Sequence, residues 1–296
     1  MIKNILITGG SGMLGTAFTE LLVGQNYQVR SLSHQDLDVC DLNGVLAQAE
    51  FKPNVVIHTA GIVNADYCEE HPEESRESHV GGTQNIVELC LKTGAQLFYP
   101  QSFLIFDGTE LPITEETVPR PLSVYGQSKW EAEQLVKNKL PNALIVRMGG
   151  FFGGYEKDKN FVGKFAHVLK ASIEANKKSL QAINRIWQPT FTEELARNSL
   201  LLLEQDKVGV YNMASHGSAS FYEVAQLMLT VFGLKNRIEV EEVSPEHFNE
   251  KSKRPQNGTM ENKRLAQENL DRMPDWRVSL TEYLRQPYFK NLFSHE

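Results

Sequence analysis

The run Ile5-Leu6-Ile7, strongly strand-like, leads through Thr8 into Gly9-Gly10-Ser11-Gly12-Met13-Leu14-Gly15 and then into a helical stretch expected over 13–24. A strand, a G-x-x-G-x-x-G turn and a helix are what a bound pyrophosphate needs. Glycine permits the tight turn and a close backbone approach, and the helix start offers unpaired amides at the positive end of its dipole. Such a turn alone is weak evidence for a ligand, so its context carries the weight. That context is an alternation: strands are expected at 28–32, 55–57, 96–99 and 144–146, with helices at 82–93 and about 123–139. Strands alternating with helices build a parallel sheet covered on both faces, so the expected class is α/β, with a doubly wound parallel sheet.

After about Gly150 the rhythm changes. Residues 161–176 have helical periodicity, and three capping boxes are expected to start helices: Thr190 with Glu193, Ser220 with Glu223, and Ser279 with Glu282. In each, the hydroxyl would accept from the N3 amide and the glutamate would reach back to the cap amide. The segment 242–269, polar and carrying Arg254-Pro255, reads as an irregular loop followed by a short helix. The chain is therefore expected to divide into a dinucleotide-binding domain over 1–150 and a smaller, mostly helical part over 151–296, with segments around 185–215 interleaved between them.

Composition bounds what this fold could serve. Residues of the AVILMFWYC set make up 41% of the chain, and the 21 glycines bring the apolar share to roughly 48%, the value of an ordinary globular protein. The 30 basic and 37 acidic residues leave a net charge of −7 with no basic block, which disfavours nucleic acid and anionic membranes as partners. No apolar run reaches the ~18 residues of a membrane span, and Met1-Ile2-Lys3-Asn4 enters a strand rather than a signal-peptide core, so a cytoplasmic location is expected. Three cysteines without a CxxC pair make a poor disulfide framework, and the histidines show no paired ligand spacing, so no metal is expected.

Two further features bear on chemistry. Tyr125-Gly126-Gln127-Ser128-Lys129 sets a phenol and an ammonium at i and i+4 on one helix face, where the cation is expected to lower the phenol pKa from ~10. The pair gains weight from Ser102, which follows the strand at 96–99 and so falls at the carboxyl end of a parallel sheet, where such folds place their sites. At the end of the second strand stand Ser33 and His34, with Arg30 close by and the nearest acids at Asp36 and Asp38. The absence of an acid at the strand end favours a ribose carrying a 2′-phosphate and leaves a free 2′-hydroxyl allowed.

The Thr-Gly-x-x-Gly-x-x-Gly spacing with Ser102, Tyr125 and Lys129 resembles the extended short-chain dehydrogenase/reductases, a Rossmann-type family. Phe106-Asp107-Gly108-Thr109, Pro121-Leu122-Ser123-Val124-Tyr125-Gly126, Asn160-Phe161-Val162, Gln188-Pro189-Thr190, Arg254-Pro255-Gln256-Asn257 and Lys263-Arg264-Leu265 narrow the resemblance to the dTDP-4-dehydrorhamnose reductase branch over nearly the full length. Gly82-Thr83 with Asn85, and Asp66 with Glu69, fit the same branch. The resemblance implies reduction of the 4-keto group of a 6-deoxy sugar nucleotide. Tyr125 would be the proton donor, Ser102 would bond the developing oxyanion, and Lys129 would hold the nicotinamide ribose. The resemblance implies a nicotinamide dinucleotide, for which the strand end means NADP(H) favoured and NAD(H) allowed. It places the cofactor at Gly9, Ser11, Gly12, Met13, Leu14, Gly15, Ser33, His34, Asp38, Val39, Ala60, Gly61, Tyr125 and Lys129. It places the nucleotide sugar at Val63, Ser102, Phe103, Phe151, Asn160, Gln188 and Arg254, with Arg254 suited to a diphosphate. A homodimer is the default assembly.

The chain departs from the branch near the sugar. Gln101-Ser102-Phe103-Leu104-Ile105-Phe106 stands where Ser-Thr-Asp-Tyr-Val-Phe is usual, and Gly150 stands where a tryptophan is expected, with Phe151 or Phe152 as its replacement. His79 replaces an asparagine and Val63 a threonine. A 4,6-dehydratase would need an acid and a base that Phe103-Leu104 do not supply. A 4-epimerase, and a dinucleotide-binding regulatory subunit resembling the methionine adenosyltransferase beta subunit, are the other readings.

Overall fold

The computed structural model describes residues 3–293; Met1 and Ile2 of the opening run read above against a signal peptide lie outside it. The first half alternates as expected: β1 (Lys3–Thr8), α1 (Met13–Leu22), β2 (Tyr27–Leu32), α2 (Leu42–Ala47), β3 (Val55–His58), α3 (Ala65–Glu70), α4 (Pro72–Arg76), α5 (Gly82–Thr93), β4 (Gln96–Ser102), α6 (Val124–Lys139) and β5 (Leu144–Met148). The second half mixes short strands with helices: β6 (Phe151–Phe152), α7 (Phe161–Glu174), β7 (Ser179–Ile183), β8 (Ile186–Trp187), β9 (Thr190–Phe191), α8 (Thr192–Glu204), β10 (Gly209–Met213), β11 (Ala219–Ser220), α9 (Phe221–Val231), β12 (Glu239–Val243), α10 (Lys263–Gln267), α11 (Trp276–Leu284) and α12 (Pro287–Phe293).

The main sheet has six strands in the order β10-β5-β4-β3-β1-β2, all parallel. Strand alternation explains why both faces are covered. Ile5, Ile7, Val55 and Ile57 face one core with Leu14 and Phe18 of α1 and Leu195, Ala196 and Leu203 of α8. Leu6 and Val56 face the other with Ile86 and Cys90 of α5 and Ala132 and Val136 of α6. The chain passes from β1 to β2 on one side and returns to β3 on the other, so the connections that leave the carboxyl ends of β1 and β3 run to opposite faces of the sheet. That switch point is where an open α/β sheet leaves a crevice.

The second half contributes to this layer as well as to its own. β10 joins the sheet beside β5, and α8 packs on α1, which places 192–213 with the first half. A separate core gathers Phe152, Val162, Phe165, Trp187, Val224, Met228, Leu280 and Tyr283 from β6, α7, β8, α9 and α11.

Of the three expected capping boxes only one forms. Ser220 Oγ accepts from Glu223 N at 3.0 Å, and the Glu223 carboxylate accepts from Ser220 N at 2.7 Å. Thr190 lies in β9 instead, its hydroxyl bonded to Gln188 O and Ser215 N, and α8 starts at Thr192 without a side-chain cap. Ser279 is inside α11, which Asp275 caps, and its hydroxyl donates to Glu194 at 2.8 Å. In both places a distant partner takes the hydroxyl that local pattern would assign to a cap, and the buried Trp276 draws the start of α11 earlier. Apart from a 3-10 turn at Pro245–His247, the segment after β12 is irregular until α10, as its polar composition indicates.

Candidate active site

The crevice at the switch point is lined first by the glycine turn. Gly9 has φ +70°, and a Cβ there would lie 2.6 Å from Ala60 N; a Cβ on Gly15 would lie 2.3 Å from Gly9 O. Only hydrogen fits, so the turn sits tight against the chain that leaves β3 through Ala60 and Gly61. Gly12 is the N-cap of α1 and carries no side-chain cap, so the first-turn amides of Met13, Leu14 and Gly15 have no intrahelical acceptor. Ser11 and Gly12 are exposed at its tip. An uncapped helix end over a side-chain-free turn is a donor set that fits a pyrophosphate.

Beyond β2, the Ser33 amide and hydroxyl both donate to Asp36, at 2.9 and 2.6 Å. These bonds, the hydroxyl's first, hold the Asp36 carboxyl below its usual range. An acid four residues past the strand end thus reaches Ser33, while His34 is exposed. Arg30 is turned away, donating to Gln48 and lying 4.5 Å over the Phe51 ring. Asp38 accepts from Cys40 N, and Val39 is buried against α5, where Asn85 donates to the Val39 and Cys40 carbonyls. The loop of Asp38 and Val39, expected to contact the cofactor, is therefore tied to α5.

Ser102 and Tyr125 meet at the carboxyl end of β4. Ser123 Oγ caps α6 through Gly126 N at 3.0 Å, and Glu69 of α3 accepts from Val124 N at 2.8 Å, so the helix turn bearing Tyr125 is held from two sides. Gln101 pins α6 to β4 by donating to Lys129 O at 2.9 Å and to Glu133 Oε2 at 3.1 Å. The Ser102 hydroxyl accepts from Leu104 N at 3.1 Å and faces the phenol of Tyr125, whose ionised form it favours.

Electrostatics here differ from the expectation. Burial pushes Tyr125 up to about 12, against the opposing effect of Ser102. Lys129 does not lower it, because its ammonium is spent elsewhere: Nζ donates to Pro100 O at 2.8 Å and lies 4.1 Å from the Tyr99 ring centre. Burial pulls Lys129 itself down to about 7, with Glu133 acting the other way. Behind it, Glu133 and Arg147 form an ion pair at 2.6 Å, with side chains 0% and 2% exposed. His58, held between Thr8 Oγ1 at 2.8 Å and Thr83 Oγ1 at 3.3 Å, is pushed by burial down to about 3 and is neutral.

The residues expected to hold the sugar are disposed unevenly. Val63 is 70% exposed at the mouth of the crevice. Phe103 packs with Ile105, Phe106, Ile113 and Met260, its ring against Gly258. Phe151 is half-buried, and Asn160 Nδ2 donates to its carbonyl at 2.7 Å. Gln188 is buried with its amide taken up by main chain, donating to Ser215 O and Met260 O and accepting from Met260 N. Arg254 donates to Asp66 at 3.0 Å and lies 3.5 Å from Glu250, while Ser252 N also donates to Asp66 and Lys251 pairs with Glu70. The 251–254 loop is thus strapped onto α3, next to the helix start that carries Tyr125. Glu133 goes unmarked in the sequence, and the resemblance that names Asp66 and Gln101 does not give their partners; the partners of the three lie 14, 188 and 32 residues away respectively. Among the described residues no cluster of His, Cys, Asp or Glu is arranged to hold a metal ion.

Strand order and the glycine turn at the switch point put the chain in the Rossmann-type class of dinucleotide-fold proteins. The profile of the RmlD substrate binding domain matches residues 3–289, and the chain belongs to that family. A dTDP-4-dehydrorhamnose reductase of Clostridium acetobutylicum, an RfbD ortholog, superposes with a TM-score of 0.89 at 31% identity, covering 95% of this chain and 98% of that one. A dTDP-4-dehydrorhamnose reductase of Bacillus anthracis, solved in complex with NADP, superposes with a TM-score of 0.89 at 25% identity, covering 96% and 99%. Methionine adenosyltransferase 2 subunit beta of Xenopus tropicalis is 30% identical over 248 residues, 78% of this chain and 73% of that protein.

Proposed function

We propose that this protein reduces the 4-keto group of a 4-keto-6-deoxy sugar nucleotide, dTDP-linked as in the reductases it resembles, using NADP(H), with NAD(H) as the lesser cofactor. The observation that carries this reading is a half-buried, protonated phenol facing a serine hydroxyl at the carboxyl end of β4, beside a side-chain-free phosphate cradle. The nicotinamide, when bound, supplies the hydride. Tyr125 keeps its proton at neutral pH, which is the state an acid needs before a carbonyl oxygen gains charge. Ser102 donates to that oxygen, so the developing alkoxide meets two fixed hydroxyls instead of reorganising water. The proton passes from the Tyr125 hydroxyl to the sugar oxygen and leaves a phenolate. Lys129, whose Nζ is held by Pro100 O, would stabilise that phenolate and hold the cofactor ribose by exchanging that carbonyl for them. Met13, Leu14 and Gly15 amides would bind the pyrophosphate. Arg254 would bind the substrate diphosphate by exchanging Asp66 for phosphate oxygens.

The same reading assigns 1–150 chiefly to the cofactor and 151–296 chiefly to the substrate, and takes the protein as a cytoplasmic homodimer with a nucleotide sugar as its small-molecule partner. No helix among the described residues is long and apolar enough to cross a membrane. The likeness to the methionine adenosyltransferase beta subunit supports a second reading, a dinucleotide-binding subunit without turnover. Following nicotinamide absorbance with NADPH and NADH against 4-keto-6-deoxy sugars linked to dTDP, UDP, GDP or CDP separates the two. We expect oxidation of NADPH that depends on the dTDP sugar and disappears in Tyr125→Phe. Cofactor binding without oxidation of any member would overturn the reductase reading in favour of the subunit.

A further inference from the structure

Between α4 and α5 the chain does not run on as a regular helix: Glu77–Gly81 form a π-helical turn. Such turns are rare and recur at functional sites. Here the buried side chain of the turn is His79, 5% exposed. Its Nε2 lies 2.9 Å from Ile62 O, and a carbonyl only accepts, so Nε2 carries the proton and Nδ1 the lone pair. The imidazole meets the Tyr125 ring at 85°, with 5.3 Å between centres. On its other side the ring abuts Gly61, where a Cβ would lie 2.9 Å from Cε1. The imidazole therefore fills the space between the Gly61-Ile62 main chain and the phenol ring.

We propose that His79 is a positioning residue for the reduction: its ring walls the Tyr125 phenol from water and fixes the orientation in which the phenol faces Ser102. The π-helical turn is the device that aims the imidazole inward. This assignment rests on the reductase reading. The groups that face the phenol are Ser102 and Tyr99 from β4, Cys68 from α3, and His79; those that face His79 are Lys129 and His58. Burial, with Lys129 nearby, pushes His79 down to about 3, so it acts across the working range as a neutral shape and not as a charge.

Two substitutions separate the ring from its hydrogen bond. His79→Asn removes the ring and keeps an amide donor, whereas His79→Phe keeps a ring and removes the donor. With His79→Asn we expect kcat to fall about tenfold and the basic limb of its pH profile to move down by about one unit, because water reaches the phenol. The KM for NADPH should stay within about twofold of wild type, as the phosphate cradle is untouched. His79→Phe is expected to hold the wild-type limb and most of kcat. Wild-type kcat and profile in His79→Asn, or an equal loss in His79→Phe, would overturn the assignment. Phenolate absorbance, taken as the difference between each protein and its Tyr125→Phe counterpart, reads the same ionisation without turnover. A titration displaced by His79→Asn in a protein that turns over no substrate would refute the reductase reading and keep the wall. An undisplaced titration would refute the wall alone.

Discussion

Tyr125 shows how a single side chain's behaviour follows from its surroundings more than from its sequence neighbours. The i,i+4 ammonium suggests an acidified phenol, yet Lys129 reaches back to Pro100 O and burial governs Tyr125. The outcome suits the proposed direction of reaction, since a reductase needs the proton on the phenol before hydride arrives. Behind the site, Glu133 and Arg147 are buried together, with Gln101 completing the bonds of Glu133, and Arg147 also donates to Glu115 O. Two buried charges of opposite sign tolerate one another only as a pair. Glu133→Gln, which leaves the guanidinium without its counter-ion, should lower stability by about 3 kcal/mol in urea unfolding. A loss below about 0.5 kcal/mol, as at exposed pairs, would contradict this account of the site's foundation.

Helices and strands were far more legible in the sequence than side-chain partnerships, and the reasons are local. The alternation of Ile5, Leu6 and Ile7 between two cores and the glycine turn after them depend on neighbours in the chain, as does the Ser123 cap of α6. Thr190 and Ser279 carry the same capping pattern as Ser220, but Ser215 and Glu194 compete for their hydroxyls across the fold. The link between β6 and α7 is another such case. The Asp158 carboxylate accepts from Gly153 N and Asn160 N and from the hydroxyl of Tyr283, and burial still pushes it up to about 6. Because its folded pKa lies above its unfolded value of 3.8, its stabilising contribution is full below about pH 4 and is lost as pH rises through 6. The stability of the wild type relative to Asp158→Asn, followed by thermal unfolding from pH 4 to 7.5, should therefore decline across that interval. A difference independent of pH would mean that the carboxyl is not desolvated.

At the scale of the whole molecule, the second half of the chain completes the first. β10 extends the sheet beside β5, α8 covers α1, and the 251–254 loop is strapped to α3 by Asp66 and Glu70. The turn to a helical second half was visible near Gly150, but no local pattern assigns Gly209–Met213 to a sheet begun two hundred residues earlier. The geometry that results sets the glycine turn, the Ser102–Tyr125 pair and Arg254 about the carboxyl end of the sheet, and the proposed hydride transfer to a sugar carbonyl needs such an arrangement. The central claim is that transfer, with Tyr125 supplying the proton. Its most direct test is to incubate the protein with NADPH carrying deuterium on the transferable nicotinamide position and a dTDP-4-keto-6-deoxy sugar, and to locate the label by NMR. The expected result is deuterium at C4 of the reduced sugar with wild-type protein and none with Tyr125→Phe, which still binds NADPH. Label that remains on the cofactor with wild-type protein, or that reaches C4 equally in Tyr125→Phe, would contradict the account.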